Sequence, residues 1–279
     1  MDKKEKIKKL RKEVYSYREI VKLLRVSKRE ITKVVKQVKF SKKGSERYYK
    51  KSGVVKPIKK QTKKLTLAKT SIIGHLLFDG YLQKKTKDYK NTLGYVNASK
   101  NLVNKFCNYI IKVYGLKPLV YSDSKGKTLV YRARCNSKLI YNDLLSYIPN
   151  YSTSNNQIKV PDEIINARKD IKIEFIRSFW EDEGSVSKEA VIRGAINSFK
   201  IIKQLNVIHH SLNLETKIYL DKSKKKISYI LRLKKDKENM DRFYNYSLFS
   251  DSIVTRGYFK GQRKVDVLKY FITHKYRNL

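Results

Sequence analysis

One self-similarity limits what this chain can fold into more than any other feature. Ser71-Ile72-Ile73-Gly74-His75-Leu76-Leu77-Phe78-Asp79-Gly80 lies on Phe175-Ile176-Arg177-Ser178-Phe179-Trp180-Glu181-Asp182-Glu183-Gly184, at an offset of 104 residues (183 − 79). Each segment reads as an apolar helix ending in an acid and a glycine. The similarity continues downstream. Strands are expected from Tyr81 to Lys84 and from Ser185 to Lys188, with second strands closing at Val96-Asn97 and Ile196-Asn197. Helices follow over 100–114 and 200–212, third strands over 116–121 and 214–219, and fourth strands over 130–134 and 230–234. Closing helices are expected over 137–147 and 238–248. The repeat therefore implies two pseudo-symmetric αββαββα units in an α+β fold, over 65–149 and 150–248, followed by a basic tail over 249–279.

Ahead of the repeat stand two helix-start signals, eleven positions apart (27 − 16). Ser16-Tyr17-Arg18-Glu19 and Ser27-Lys28-Arg29-Glu30 both fit the S-x-x-E capping box. Ile20, Leu23 and Leu24 give the first helix an apolar face, and Ile31, Val34 and Val35 give the second one. With a helix before them, two helices so tightly joined predict a small all-α helix-turn-helix over 1–38. On its second helix Lys28, Arg29, Thr32, Lys33 and Lys36 avoid the apolar face and are candidates for contacts in a major groove. Arg25 stands in the turn, where motifs of this kind usually carry Gly. Residues 39–64 hold eleven Lys or Arg against one acid, Glu46, and read as a basic linker that follows phosphates.

Charge points the same way. Across 279 residues, 65 Lys and Arg oppose 25 Asp and Glu, a formal net charge of +40. Like charges on a compact chain repel, so such an excess implies a polyanionic partner, and double-stranded DNA is the expected one. With 41% hydrophobic residues, including 21 Tyr and 10 Phe, the chain can bury a core, which excludes a disordered basic tail. No apolar run is long enough for a membrane helix, and no secretory signal is recognised. Cys107 and Cys135 form no C-x-x-C pair, so the reading is cytoplasmic or nucleoid-associated, and a monomer that needs no protein partner is expected because the two repeats already make a pseudo-dimer within one chain. Strand alternation puts Arg132 and Arg134 on one sheet face, and Arg232 and Lys234 on the equivalent face of the second unit. Base-edge contacts are expected from Gln83, Asn97, Ser185, Ser187 and Asn197.

Asp79 and Glu183 close the two equivalent helices. A carboxylate at a helix C-terminus faces the negative end of the dipole, which costs energy unless something positive sits there. If the helices pack along a pseudo-two-fold axis, the two acids converge, and converging carboxylates repel unless they share a proton or a cation. An all-oxygen pair with open positions suits Mg²⁺. Gly74 and Ser178 are small enough to let the helix backbones approach.

These paired segments resemble the motifs of LAGLIDADG homing endonucleases in their single-chain, two-motif form, across about residues 65–248. The tract Val160-Pro161-Asp162-Glu163-Ile164-Ile165 also resembles what often precedes the second motif. The resemblance implies motif helices at the interface, saddle-shaped sheets on DNA, and Mg²⁺-dependent cleavage of both strands at a long pseudo-palindromic site. It implies Asp79 and Glu183 as metal ligands and Arg134 and Lys234 as basic groups beside the scissile phosphates. Mobility of an intron or intein is the associated biology. Phe78 departs from the small residue usual before the first acid, and Ser178 from the glycine of the second motif. Bulk at Phe78 is expected to push the helices apart. A non-cleaving DNA-binding regulator and an RNA-binding splicing helper stand as alternatives on the same scaffold. His75, His209, His210 and His274 fit no metal or nuclease pattern, and His75 is expected to pack or to support the acids from behind.

Overall fold

A computed structural model of the chain describes residues 2–35, 38, 41, 64–84, 91–125, 128–151, 158–222 and 227–275. The chain forms two compact units, one of Met1–Lys59 with Gly115–Lys117 and a second built from Lys60–Tyr114 with Pro118–Leu279. In the first unit, helices α1 (Lys3–Lys12), α2 (Tyr17–Leu24) and α3 (Lys28–Val34) surround a small core of Ile7, Ile20, Val26, Ile31 and Val35. Both capping boxes form. Ser16 Oγ accepts from Glu19 N and Glu19 Oε2 accepts from Ser16 N, and Ser27 and Glu30 repeat the exchange. The turn between α2 and α3 requires a left-handed residue, and Arg25 adopts it at φ 51°, ψ 45°. That conformation is disfavoured for any residue with a Cβ. Leu23, expected in the core, is exposed, because Ile20 and Leu24 already face α1 and α3.

The second unit repeats one element order twice. The first copy runs α4 (Leu67–Phe78), β1 (Gly80–Gln83), β2 (Thr92–Asn97), α5 (Lys100–Tyr114), β3 (Leu119–Lys125), β4 (Thr128–Asn136) and α6 (Lys138–Leu145). A short α7 (Asp162–Ile165) leads into the second copy. It runs α8 (Lys169–Glu183), β5 (Gly184–Val186), β6 (Ile192–Ile196), α9 (Phe199–Ser211), β7 (Thr216–Asp221), β8 (Ser228–Leu233) and α10 (Lys237–Asn245). Each copy is an antiparallel four-stranded sheet, ordered β1-β2-β4-β3 and β5-β6-β8-β7. The expected α+β architecture of two αββαββα units is therefore present. Beyond it, α11 (Lys264–Lys275) buries Val267, Leu268 and Phe271, so residues 249–275 belong to this unit's core and are not a free tail. Among the described residues no helix is long and apolar enough to cross a membrane.

Helices α4 and α8 pack side by side, and their closest approach is set by two small residues. A methyl group added at Gly74 would lie 2.6 Å from Ser178 Cβ and 2.7 Å from its Oγ. Phe78 does not separate the helices as its bulk led us to expect. Its ring sits against Phe175 and Phe179 of α8, at centroid distances of 5.8 and 5.3 Å. Gly194 makes the room, since a Cβ there would meet the Phe179 ring at 2.6 Å.

Trp180 anchors the second copy, fully buried among Phe179, Phe243 and Phe249. Its Nε1 donates to His209 Nε2 at 2.7 Å, and His209 Nδ1 donates to Leu205 O at 2.6 Å, so the imidazole is held neutral.

Two outcomes follow from this packing. Gly74→Ala is expected to destabilise the unit by about 1–3 kcal/mol through overpacking. Ser178→Gly on the same background should recover much of that loss, as read by denaturant unfolding. Burial brings the His209 pKa down to about 4 from the usual 6.5. Its contribution to stability is thus present above about 6.5 and lost as pH falls through about 4. Unfolding measured across that window should show His209→Gln flattening the acid-side slope by roughly 2–3 kcal/mol.

Candidate metal and nucleic-acid site

The two motif helices end together. Asp79 is the C-cap of α4, and Glu183 is the last residue of α8 before Gly184 begins β5. Asn97, at the end of β2, joins the two ends. Its Nδ2 donates to Asp79 Oδ2 at 3.1 Å and to Asp182 Oδ1 at 3.3 Å. The amide is oriented by Ser99 N, which donates to Asn97 Oδ1 at 2.9 Å. Asp182 is the most enclosed acid of the group, with a fully buried side chain. Tyr95 OH donates to its Oδ1 at 2.6 Å, and His75 Nδ1 is hydrogen-bonded to its Oδ2 at 2.8 Å. Glu181 is also buried. Its carboxylate takes the Ser250 hydroxyl and the Asp251 amide, with His75 Nε2 at 3.6 Å on the other oxygen.

The electrostatics of this cluster follow from burial. The Asp79 carboxyl is pushed up to about 8, first by desolvation and then by the neighbouring charge of Asp182. Asp182 is raised well above the usual carboxylate range, again by desolvation first. The His75 pKa is lowered, first by burial and against the pull of Glu181. Lys264 is brought down to about 8 by burial, against the pull of Asp182, Glu181, Asp79 and Glu183. At Asp79 and Lys264 alike, burial thus outweighs the opposite charges nearby. Among the described residues, no cluster of three or more His, Cys, Asp or Glu is arranged to hold a metal ion. Two carboxylates suffice for Mg²⁺ when phosphate oxygens and waters complete its shell, so the donor set fits that ion.

The pseudo-symmetry is uneven at this point. At the 104-residue offset, Phe78 corresponds to Asp182, His75 to Phe179, and Ser71 to Phe175. Phe78 meets Phe175 and Phe179 on one side of the helix pair, whereas Asp182 meets His75 on the other. One side of the interface is aromatic and the other is a hydrogen-bonded acid.

The sheets present their outer faces differently from the sequence alignment. In the first sheet Tyr81, Gly94, Arg134 and Leu119 share one row. In the second, Ser185, Arg193, Arg232 and Lys217 share the matching row, one residue beyond the motif glycine. Arg232 is thus the counterpart of Arg134, and Lys234 is not. Lys234 lies past the end of β8, paired with Glu215 at 2.8 Å and Asp236 at 3.6 Å. Two glycines show the shift. Gly94 and Gly194 align by identity, yet Gly94 is on the outer face beneath the Tyr81 ring and Gly194 is on the core face beneath Phe179.

The remaining candidates fall into place on this register. Gln83 and Arg132 are on the outer face of the first sheet, with Arg132 also 3.4 Å from Asp123. Ser185 is exposed on the outer face of the second sheet. Ser187 follows β5 and caps the β5–β6 turn, accepting from Glu189 N and Val191 N. Asn97 is drawn to the acids on the core side of its sheet, and Asn197 is exposed just after β6. Arg193 and Lys217 are exposed in the outer row, and the sequence alignment had passed over both. Arg134 Nε is buried without a hydrogen-bond partner among the described residues, an orphan donor of the kind a ligand oxygen satisfies. In the first unit Lys28, Arg29, Thr32 and Lys33 are exposed along α3. Lys36, and nearly all of the 39–64 linker, lie outside the described residues.

Tyr95→Phe tests the buried network. Removing the hydroxyl strips Asp182 of its shortest donor and is expected to cost about 1.5–3 kcal/mol in urea unfolding.

No protein-family profile and no curated protein matches the sequence. Solved structures of similar shape include the homing endonuclease I-DmoI in complex with DNA and Mn, at 18% identity and a TM-score of 0.49, over 66% of this chain and 99% of that one. The homing endonuclease I-WcaI bound to its DNA recognition sequence matches at 16% identity and 0.49, over 77% and 91%. Full-length DUF199/WhiA from Thermatoga maritima matches at 11% identity and 0.47, over 82% of this chain and 66% of that one.

Proposed function

We propose that the chain is a divalent-metal-dependent, site-specific DNA endonuclease of the LAGLIDADG homing type. One observation carries the reading. Two equivalent helices, packed through Gly74 and Ser178, bring Asp79 against the acidic last turn of α8, which ends in Glu183. Asp79 and Glu183 are the residues that would hold Mg²⁺. Bound there, the cation would supply an activated water and stabilise the leaving oxygen of a phosphodiester.

The protein's own groups do the rest. Arg134 and Arg232, in matching rows of the two sheets, neutralise phosphate charge on either side of the acids. Gln83 and Ser185 reach base edges from the same faces. Asn97 and Tyr95 hold the carboxylates of Asp79 and Asp182 in place. The helix-turn-helix adds Lys28, Arg29, Thr32 and Lys33 as a second DNA contact, and its tether raises the effective concentration of either module for the other's site.

The test is cleavage of a large degenerate duplex pool, with sequencing of new ends, in Mg²⁺ and in chelator. Clustered double-strand ends that need Mg²⁺ are expected. Asp79→Asn and Glu183→Gln should each lower cleavage more than about a hundredfold. Sequence-selective binding without a cut, unaffected by either substitution, would leave a non-cleaving regulator. Preference for structured RNA at matched salt would leave an RNA-binding role.

A further inference from the structure

Lys264 is a costly residue where it stands. It is the first residue of α11, where a helix dipole repels positive charge. It is also only 6% exposed; Lys69 is buried too, but against the Asp143 carboxylate at 2.8 Å. What it meets there is the end of α8. An α-helix leaves its last carbonyls without intrahelical donors, and their dipoles favour a cation. Lys264 Nζ donates to Glu181 O at 3.0 Å and to Trp180 O at 3.5 Å, over the face of the Phe249 ring at 5.3 Å.

A second set of contacts ties the same C-terminal segment to the same helix turn. Ser250 Oγ and Asp251 N donate to the buried Glu181 carboxylate. Lys264 N donates to Ser252 O at 3.0 Å, and Arg263 to Ser250 O at 3.1 Å, so the segment is braced against itself as well. Directly after these anchored residues on α8 come Asp182 and Glu183.

We propose that Lys264 is a positioning residue for the acidic centre. From the C-terminal helix it fixes the last turn of α8, and with it the direction in which Asp182 and Glu183 project. The segment 249–275 is on this view a working part of the nuclease site. The proposal rests on the endonuclease reading above, and it makes the centre depend on a residue 81 positions beyond Glu183 (264 − 183).

The test uses the full-length protein with Lys264→Met, Lys264→Gln and Lys264→Arg. Hydrogen–deuterium exchange reads the last turn of α8 directly, Mn²⁺ alone is titrated by electron paramagnetic resonance, and duplex affinity is measured in chelator. Lys264→Met should speed exchange at the amides of 181–186 while α3 and α5 are unchanged. It should weaken Mn²⁺ binding and slow cleavage by about 10–100-fold each, with duplex affinity kept within about twofold. Lys264→Arg should restore most of the loss.

Sign decides between positioning and simple charge balance. If Lys264 only neutralises the acids, removing its charge tightens Mn²⁺ binding and leaves exchange alone, and that result would overturn the proposal. Should Lys264→Met fail to fold, Lys264→Gln keeps a donor without the charge, and faster exchange and weaker Mn²⁺ binding are expected there too. Wild-type exchange and wild-type Mn²⁺ binding in Lys264→Gln would overturn the proposal. A wild-type protein that neither binds Mn²⁺ nor cuts DNA refutes the nuclease reading instead. The exchange data then still decide whether Lys264 holds the turn.

Discussion

Two helices can run close together only where neither carries bulk, and the second unit is organised around one such place. The Gly74–Ser178 approach lets α4 and α8 lie in contact along their length, so their ends arrive side by side. Each sheet then starts within two residues of its helix, at Gly80 and Gly184. Because the helices are tied, the sheets are tied too, and the rows holding Arg134 and Arg232 take their places from that approach. Widening it would move the acids and both basic faces at once. This is why a ring as large as Phe78 had to be taken up elsewhere, in the space that Gly194 leaves for Phe179.

Bringing acids together in a dry place has a cost that the surroundings offset in part. Tyr95, Asn97 and His75 give Asp182 three partners, and Asn97 shares itself with Asp79. Buried polar groups of this kind are tolerated when their hydrogen bonds are made. The remaining imbalance shows in Asp79, raised to about 8, and in Lys264, lowered to about 8, each mainly by desolvation.

Much of this was legible in the residues. The repeat announced two units, the S-x-x-E boxes located α2 and α3, and the acid-glycine endings marked the helix termini. These are local signals, written in consecutive residues. Register was not legible, because strand pairing depends on which face a residue takes and a glycine does not declare its face. Matching Val130–Arg134 to Ile230–Lys234 by position carried Arg134 onto Lys234, when the sheets align it with Arg232. The partners of Asp182 come from two elements of the other copy, α4 and β2, and no spacing rule connects them. Lys264 was hidden for a simpler reason. Among 65 Lys and Arg, nothing in the sequence distinguishes those that fold inward, such as Lys69 and Lys264.

The unevenness of the α4–α8 contact bears on how such a chain came to be. In a symmetric homodimer a residue and its mate are the same, so both sides of the axis must be aromatic or both must be acidic. Phe78 against Phe179 on one side, with Asp182 against His75 on the other, is open only to halves encoded separately. Within one polypeptide the halves are free to divide the work: one side of the seam supplies apolar cohesion and the other holds a buried, hydrogen-bonded acid. Splitting this chain into two identical copies of either half would lose that division, whichever half was kept.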